Sequence, residues 1–256
     1  HGLFQGKIDL PGDLIDRQVT SVSDRLGTDL SLEVRWLDIH GRHAPAASQA
    51  FLLQPRGCSV ISDIDDTIKL TGVTNRKQLL ANTFLHPFRP VLGMAQLYQH
   101  WADQGAAFHY VSSSPWQLFQ PLWTLLQDSQ FPAGSMHLRW FRLRDEMFKS
   151  WRIVRRKGKA GVIRSLIRRS PNRRFVLVGD SGERDPELYA EAAKRYPQQV
   201  RLVLIRELEE RPLDMHRLRR LRRLLGHVPL VCFTDSEQVR ECLREHRLVD
   251  HHEPFG

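Results

Sequence analysis

From Gly57 onward the chain alternates two kinds of apolar pattern. Short continuous runs recur: "CSVIS", "AFHYVS", "MHLRWF", "RFVLVG", "VRLVLI" and "VPLVCF". Their length and β-branched content suit strands buried on both faces. Between most of them lie stretches with apolar residues at three- and four-residue spacing: "PVLGMAQLYQHWADQ", "PWQLFQPLWTLLQ", "KAGVIRSLIRR", "DPELYAEAAKRY" and "DMHRLRRLRRLL", and "SEQVRECLREH" closes the series. Each is predicted to be a helix, and the alternation predicts a doubly wound parallel α/β sheet covered on both faces. Residues 1 to 56 lack helical periodicity. "LFQGKIDL", "TDLSLEVRWLDI" and "QAFLLQP" read there as strands separated by Gly, Pro, Asp and Ser turn signals. The predicted organisation is a small antiparallel β module over 1–56, cut at its start, followed by the α/β domain over 57–256.

The 256 residues are 41% hydrophobic with a mean hydropathy of −0.41, as expected of a globular chain with a sizeable core. No apolar run reaches the roughly 18 residues that a membrane span needs. The chain begins at His1 rather than Met, which leaves room for a leader or N-terminal segment ahead of it. Cys58, Cys232 and Cys242 are too few and too irregularly spaced for a disulfide framework or a zinc site, which favours a reducing, cytoplasmic compartment. Net charge is +9, and it is concentrated: Arg139 to Arg174 holds fourteen Lys or Arg against Asp145 and Glu146. A second run comprises Arg217, Arg219, Arg220, Arg222 and Arg223. Such runs are either solvated faces or surfaces for an anionic partner.

Three predicted strands deliver polar residues to the same edge of the sheet. "CSVIS" ends in Asp63-Ile64-Asp65-Asp66-Thr67, "FHYV" in Ser112-Ser113-Ser114, and "RFVLVG" in Asp180-Ser181-Gly182-Glu183-Arg184-Asp185. Singly each has a plain reading, the serine triplet as a helix cap before Pro115 and Gly-Asp-Ser-Gly as a turn. Together they point to phosphoryl transfer, because open α/β sheets bind ligands beyond the carboxyl ends of their strands. An ionised Asp can attack phosphorus if a cation screens the repulsion, and Mg²⁺ held by carboxylates from two strands supplies that screening. A second carboxyl two residues on can protonate the leaving oxygen and then activate water. Serine hydroxyls and free N–H groups can hold the phosphoryl oxygens.

Asp63-x-Asp65-x-Thr67, Ser112, a lysine ahead of the fourth strand, and Gly179-Asp180 with Asp185 appear in the order of the haloacid dehalogenase superfamily. More narrowly, "VISDIDDTIKLTGV", "YVSSSPWQLF" and "LVGDSGERDPELY" resemble the catalytic domain of the actin-patch phosphatidate phosphatases, distant relatives of the lipins. The resemblance covers roughly residues 57 to 235. It implies a haloacid dehalogenase-type fold, with Asp63 as nucleophile and metal ligand. Asp65 would be general acid and base, its main-chain carbonyl also reaching the metal. Ser112 would bind the phosphoryl group with Ser113 and Ser114 beside it. Asp180 and Asp185 would complete the magnesium site, Thr67 would brace the loop, and Asp66 would hydrogen-bond the loop on its other side. The lysine is Lys157 or Lys159, and the spacing to Ile163 favours Lys159.

Only about 40 residues separate the Asp63 loop from Ser112, so little or no cap domain is expected. An open site suits a bulky or interface-bound ester, and the family resemblance names phosphatidate. The partners expected are that ester, or another phosphomonoester, and an anionic membrane surface met peripherally. In "DMHRLRRLRRLLGH" an apolar stripe at helical spacing is expected to pack on the sheet, with an interfacial helix as the alternative. Aromatics beside the first basic run (Phe131, Trp140, Phe141, Phe148 and Trp151) fit a single-strand nucleic-acid groove, a membrane interface or a core alike, and nucleic acid is not the expected partner. A non-catalytic anionic-lipid-binding module is disfavoured because Asp63, Asp65 and Asp180 are all present. A sugar-transferase DxD leaves the serine and Gly-Asp motifs unexplained.

Overall fold

The computed structural model describes residues 28–37, 43–70, 88–139 and 151–245, with side chains described for 51, 53–70, 88–139 and 158–244. The chain separates into two compact units, His1–Gln54 and Pro55–Gly256. In the first, β1 (Thr28–Leu37) pairs antiparallel with β2 (His43–Leu52) in unbroken register from Thr28 opposite Leu52 to Leu37 opposite His43. The strand expected at "LFQGKIDL" lies outside the described residues.

The second unit is built on a six-stranded, wholly parallel sheet. Its strands are β3 (Gly57–Ser62), β6 (Ala107–Pro115), β7 (Gly134–Arg139), β8 (Arg173–Asp180), β9 (Val200–Arg206) and β10 (Leu230–Phe233). Their spatial order is β10-β9-β8-β3-β6-β7. A two-stranded ribbon, β4 (Lys69–Leu70) with β5 (Arg89–Pro90), follows β3. Among the described residues six helices alternate with the strands: α1 (Met94–Asp103), α2 (Phe119–Asp128), α3 (Trp151–Arg169), α4 (Asp185–Arg195), α5 (Met215–Leu225) and α6 (Ser236–Glu245). The expected doubly wound α/β fold is therefore what the described residues form. The described part of the first gap holds the ribbon and α1.

Alternation along the strands explains both faces being covered. Val60, Val176, Val178, Leu202 and Leu204 join the core under α1, α2 and α6, while Ile61, Phe175, Leu177, Val203 and Ile205 join the core under α3, α4 and α5. The stripe on α5 packs on the sheet: Leu221 and Leu225 are buried, with Leu218 and Leu224 packed against the same core. That corrects the interfacial reading of this helix. Phe131 is likewise a core residue, whereas Trp140, Phe141 and Phe148 lie outside the described residues.

Strand order reverses at β3. The chain passes from it to β6 and β7 on one side, then crosses through α3 to β8, β9 and β10 on the other. Such a reversal opens a crevice at the carboxyl ends of the central strands. The ends of β3 and β8 meet there, and the Asp63 amide donates to the Val178 carbonyl at 2.8 Å.

Candidate active site

The loop leaving β3 is short and anchored. Ile64 and Ile68 are fully buried, and the Ile64 carbonyl accepts the amides of Ile68 and Lys69. Asp66 adopts φ 58°, a left-handed conformation that Asp tolerates. Its carbonyl accepts from Arg206 Nη1 at 2.8 Å, which ties the loop to the end of β9. This winding turns Asp63 and Asp65 towards different neighbours.

Asp63 is buried, its Oδ1 2.7 Å from Lys159 Nζ and its Oδ2 3.5 Å from the Thr67 hydroxyl. Lys159 also donates to Asp185 Oδ1 at 2.5 Å. The lysine comes from α3, where Ile163 and Ile167 lie four and eight residues on along the same buried face. Of the two lysines considered, Lys159 is the one that the structure carries to the aspartates; the Lys157 side chain lies outside the described residues.

Asp180 ends β8. Its Oδ1 accepts the amides of Gly182 at 2.7 Å and Glu183 at 3.1 Å, which orients the carboxylate and leaves Oδ2 buried without a hydrogen-bond partner. Asp185 opens α4, and its Oδ2 is equally unpartnered. Asp63, Asp180 and Asp185 each place a carboxylate oxygen within 4.8 Å of the others. Gly179 is what permits this approach, since a Cβ there would stand 2.5 Å from Asp185 Oδ2.

Three buried carboxyls around one ammonium is an unbalanced charge set. Burial, with Asp185, Asp180 and Asp65 adding to it and Lys159 opposing, pushes the Asp63 carboxyl well above the usual carboxylate range. Burial and Asp185 push Asp180 up to about 8, and burial raises Asp185 as well. Burial alone would lower Lys159, but Asp185 and Asp63 outweigh it and hold the ammonium well above its ordinary value. Two orphaned oxygens facing a third carboxylate form an all-oxygen donor set of the kind that suits a hard cation, so the triad could hold a metal ion.

Asp65 stands outside the triad. Its Oδ2 accepts from the Ser112 hydroxyl at 2.9 Å and the Ser114 hydroxyl at 2.8 Å, and its Oδ1 is 2.7 Å from Lys69 Nζ. Burial raises its carboxyl, but Lys69, Ser114 and Ser112 together outweigh that and hold it below the usual range. Ser113 falls between the two serines on the alternate side of the strand. The helix-cap reading of the triplet is corrected: β6 runs through Pro115, a 3₁₀ turn follows over Trp116–Leu118, and α2 begins only at Phe119.

Two contributors escaped sequence reasoning. Lys69 is buried, ion-paired with Asp65, and its ammonium lies 4.4 Å from the Phe88 ring centroid. The only sequence signal for it is a lysine set inside the apolar "TIKL" stretch. Arg217, counted above as part of a basic run, turns inward. It donates to the carbonyls of Ser181 at 2.8 Å and Glu183 at 2.9 Å and forks onto both carboxylate oxygens of Glu187. Arg211 donates to the Gly182 carbonyl at 3.0 Å, so three consecutive carbonyls of the Asp180 loop accept from arginines.

Residues 58–207 match the family model described as "Phosphatidate phosphatase APP1, catalytic domain". The chain is 33% identical over 213 residues to phosphatidate phosphatase APP1 of Saccharomyces cerevisiae, covering 79% of this chain and 34% of that protein. An uncharacterized protein of Schizosaccharomyces pombe is 32% identical over 166 residues, covering 63% of this chain and 27% of the other. The chain thus spans about a third of the length of these relatives. Among solved structures, one described as a "putative had-like phosphatase" from Mesorhizobium loti aligns with a TM-score of 0.43 at 12% identity, covering 81% of this chain and 96% of that one. With the family model spanning more than half of its residues, this chain belongs to the family of the APP1 phosphatidate phosphatase catalytic domain.

Proposed function

We propose that residues 57–256 form a Mg²⁺-dependent phosphatidate phosphatase domain that releases diacylglycerol and phosphate through an aspartyl-phosphate on Asp63. Residues 1–56 would be a β-rich accessory module. The observation that carries the reading is the division of labour between two aspartates two residues apart. Asp63 lies in the acidic triad against Lys159, while Asp65 faces the serines and Lys69.

Asp63, Asp180 and Asp185, with the Asp65 main-chain carbonyl, would hold Mg²⁺. When bound, the ion screens the carboxylates and the phosphoryl oxygens from one another. Asp63 attacks phosphorus with a carboxylate oxygen, and the bond to the glycerol oxygen breaks. Lys159, already between Asp63 and Asp185, neutralises charge gathering on the phosphoryl group. Asp65 protonates the leaving alkoxide, then removes a proton from the water that hydrolyses the aspartyl-phosphate.

The hydroxyls of Ser112 and Ser114 give Asp65 a way to change its affinity for a proton. Both now donate to its carboxylate and favour the ionised form. An arriving phosphate dianion draws these donors to itself and adds negative charge beside Asp65, and both changes favour the protonated acid. Ser113, between them, lines the same strand end. The enzyme would act as a cytoplasmic protein at a membrane surface, and no described helix is long and apolar enough to cross one.

Phosphate release from phosphatidate in mixed micelles, with and without Mg²⁺, tests the reading. Asp63→Asn is expected to abolish release while leaving the circular dichroism spectrum unchanged. Turnover retained in that variant overturns the mechanism. Release from soluble phosphomonoesters alone would keep the chemistry and reject the lipid substrate.

A further inference from the structure

Large apolar side chains are exposed at five places among the described residues: Leu70 (43%), Leu92 (87%), Trp116 (38%), Phe119 (44%) and Met215 (61%). All five lie on segments leaving the carboxyl ends of the strands. Leu70 follows Lys69, the partner of Asp65. Leu92 sits in the turn before α1, which the Val91 amide fastens to the Ile68 carbonyl of the Asp63 loop at 2.9 Å. Trp116 stands two residues after Ser114, and Phe119 opens α2. Met215 opens α5, two residues before Arg217.

The opposite edge and the outer faces of the helices show no such exposure among the described residues. Trp101, Leu126, Phe131 and Val228, close to the foot of the sheet, are all buried. Beyond Met215 and His216 in its first turn, the exposed positions of α5 are arginines. Apolar exposure thus coincides with the edge that carries Asp63 and Asp65. Cationic charge accompanies it. Arg89 is exposed and lies directly opposite Leu70 in the β4–β5 ribbon, so a guanidinium and a leucine stand side by side. The exposed acids of this edge include Glu209 and Glu210 on the β9–α5 connection, which assigns first contact to the flank formed by the β3 and β6 loops.

We propose that this carboxyl edge is a bilayer-docking face, with Leu70, Leu92, Trp116 and Phe119 entering the interface and Arg89 meeting lipid phosphates. Apolar tips carried on separate loops suit a deformable lipid surface, and Trp is favoured at the headgroup level. Docked this way, the site opens onto the bilayer, and an ester reaches Asp63 without leaving it. The benefit to catalysis rests on the phosphatidate reading; the face itself does not.

The test uses vesicles of phosphatidylcholine with phosphatidylserine, free of phosphatidate. The triple variant Leu92→Gln/Trp116→Gln/Phe119→Gln is expected to lose at least about tenfold in vesicle partitioning by sedimentation. Its release of phosphate from p-nitrophenyl phosphate should stay within about twofold of the parent. A fluorophore on Leu92→Cys is expected to shift to the blue when vesicles are added, and one on Gln104→Cys, at the foot of the sheet, to stay unchanged. Equal partitioning of parent and triple variant, or a response at position 104 without one at 92, overturns the proposal. A parent chain that binds no vesicles also overturns it and leaves the edge to a protein partner. Vesicle binding as expected without phosphatidate hydrolysis would retain the face and reject the substrate.

Discussion

Replacing Arg217 by alanine separates a residue that orders the Asp180 loop from one that merely adds charge to the surface. The guanidinium joins the Ser181 and Glu183 carbonyls, which lie between the two proposed metal ligands of this loop, Asp180 and Asp185. It also pairs with Glu187 on the first turn of α4. The pair is partly exposed, at 26% for Arg217 and 17% for Glu187, so it contributes about 1 kcal/mol at most. The two carbonyl bonds, which water can partly replace, contribute about 1 kcal/mol each. The total of about 3 kcal/mol corresponds to a fall of about 6–12 °C in Tm for a domain of this size. The two loop bonds bear directly on the ordering that both ligands need. Their loss should weaken the apparent Mg²⁺ affinity by roughly tenfold to thirtyfold. Phosphate release measured across a Mg²⁺ titration reads this, with kcat at saturating metal expected to recover to within about threefold. Arg217→Lys keeps the charge, loses the fork, and should fall between the two. A lowered Tm with an unchanged metal constant would refute the reasoning and reduce Arg217 to a support of the fold.

Removing metal should destabilise the protein in a pH-dependent way. Asp63, Asp180 and Asp185 have folded-state pKa values raised above the unfolded value, so metal-free stability is greatest below the unfolded pKa and declines as pH rises through the folded values, about 8 for Asp180. Added Mg²⁺ should therefore raise Tm strongly near pH 8 and little near pH 5; equal shifts by differential scanning fluorimetry would contradict this. Asp65 has the opposite sign, its lowered pKa making a contribution that is present above the unfolded pKa and lost as pH falls through the folded one. In Lys69→Met its burial goes unopposed by an ammonium, so the stability deficit against the parent should widen between about pH 4 and pH 7 in urea titrations; a pH-independent deficit counts against the pairing. Gly179→Ala puts a Cβ 2.5 Å from Asp185 Oδ2 and 2.7 Å from the Tyr189 ring, and should cost about 1–3 kcal/mol in urea unfolding with weakened metal binding. Parent-like values of both would show that the loop has slack.

The parts of this molecule legible in its sequence are those where local pattern and tertiary environment agree. "CSVIS", "RFVLVG" and "VRLVLI" are strands because each residue meets a core on one face or the other, and continuous apolar runs record that directly. Lys159 was legible because a buried helix face repeats every four residues, and Ile163 and Ile167 mark it. The serine triplet was harder, because capping is a local rule and the outcome was set at a distance. β3 pairs with β6 only as far as Tyr110, so Pro115 lies beyond it, beside β7 alone, where a missing N–H breaks no ladder. The strand therefore runs on, and the hydroxyls of Ser112 and Ser114 donate to Asp65, with Ser112 also accepting the Ser114 amide, instead of capping a helix.

Charge was the least legible property, since one residue type serves opposite purposes. Arg173, counted in the first basic run, is buried and donates to the carbonyls of Arg56 and Cys58 and to the Ser59 hydroxyl. Arg206 holds the Asp66 carbonyl, and Arg217 holds the loop after Asp180, while Arg219, Arg220, Arg222 and Arg223 of the same helix are exposed. Helical spacing explains the split on α5. Arg217 shares a face with buried Leu221 and Leu225, four and eight residues on, and its length lets the guanidinium clear the core and reach the loop above it. A net charge of +9 therefore overstates the positive surface open to a partner. Some of it already serves the backbone carbonyls that shape the site, which is why Arg217→Ala should weaken metal binding before it weakens any attraction to an anionic membrane.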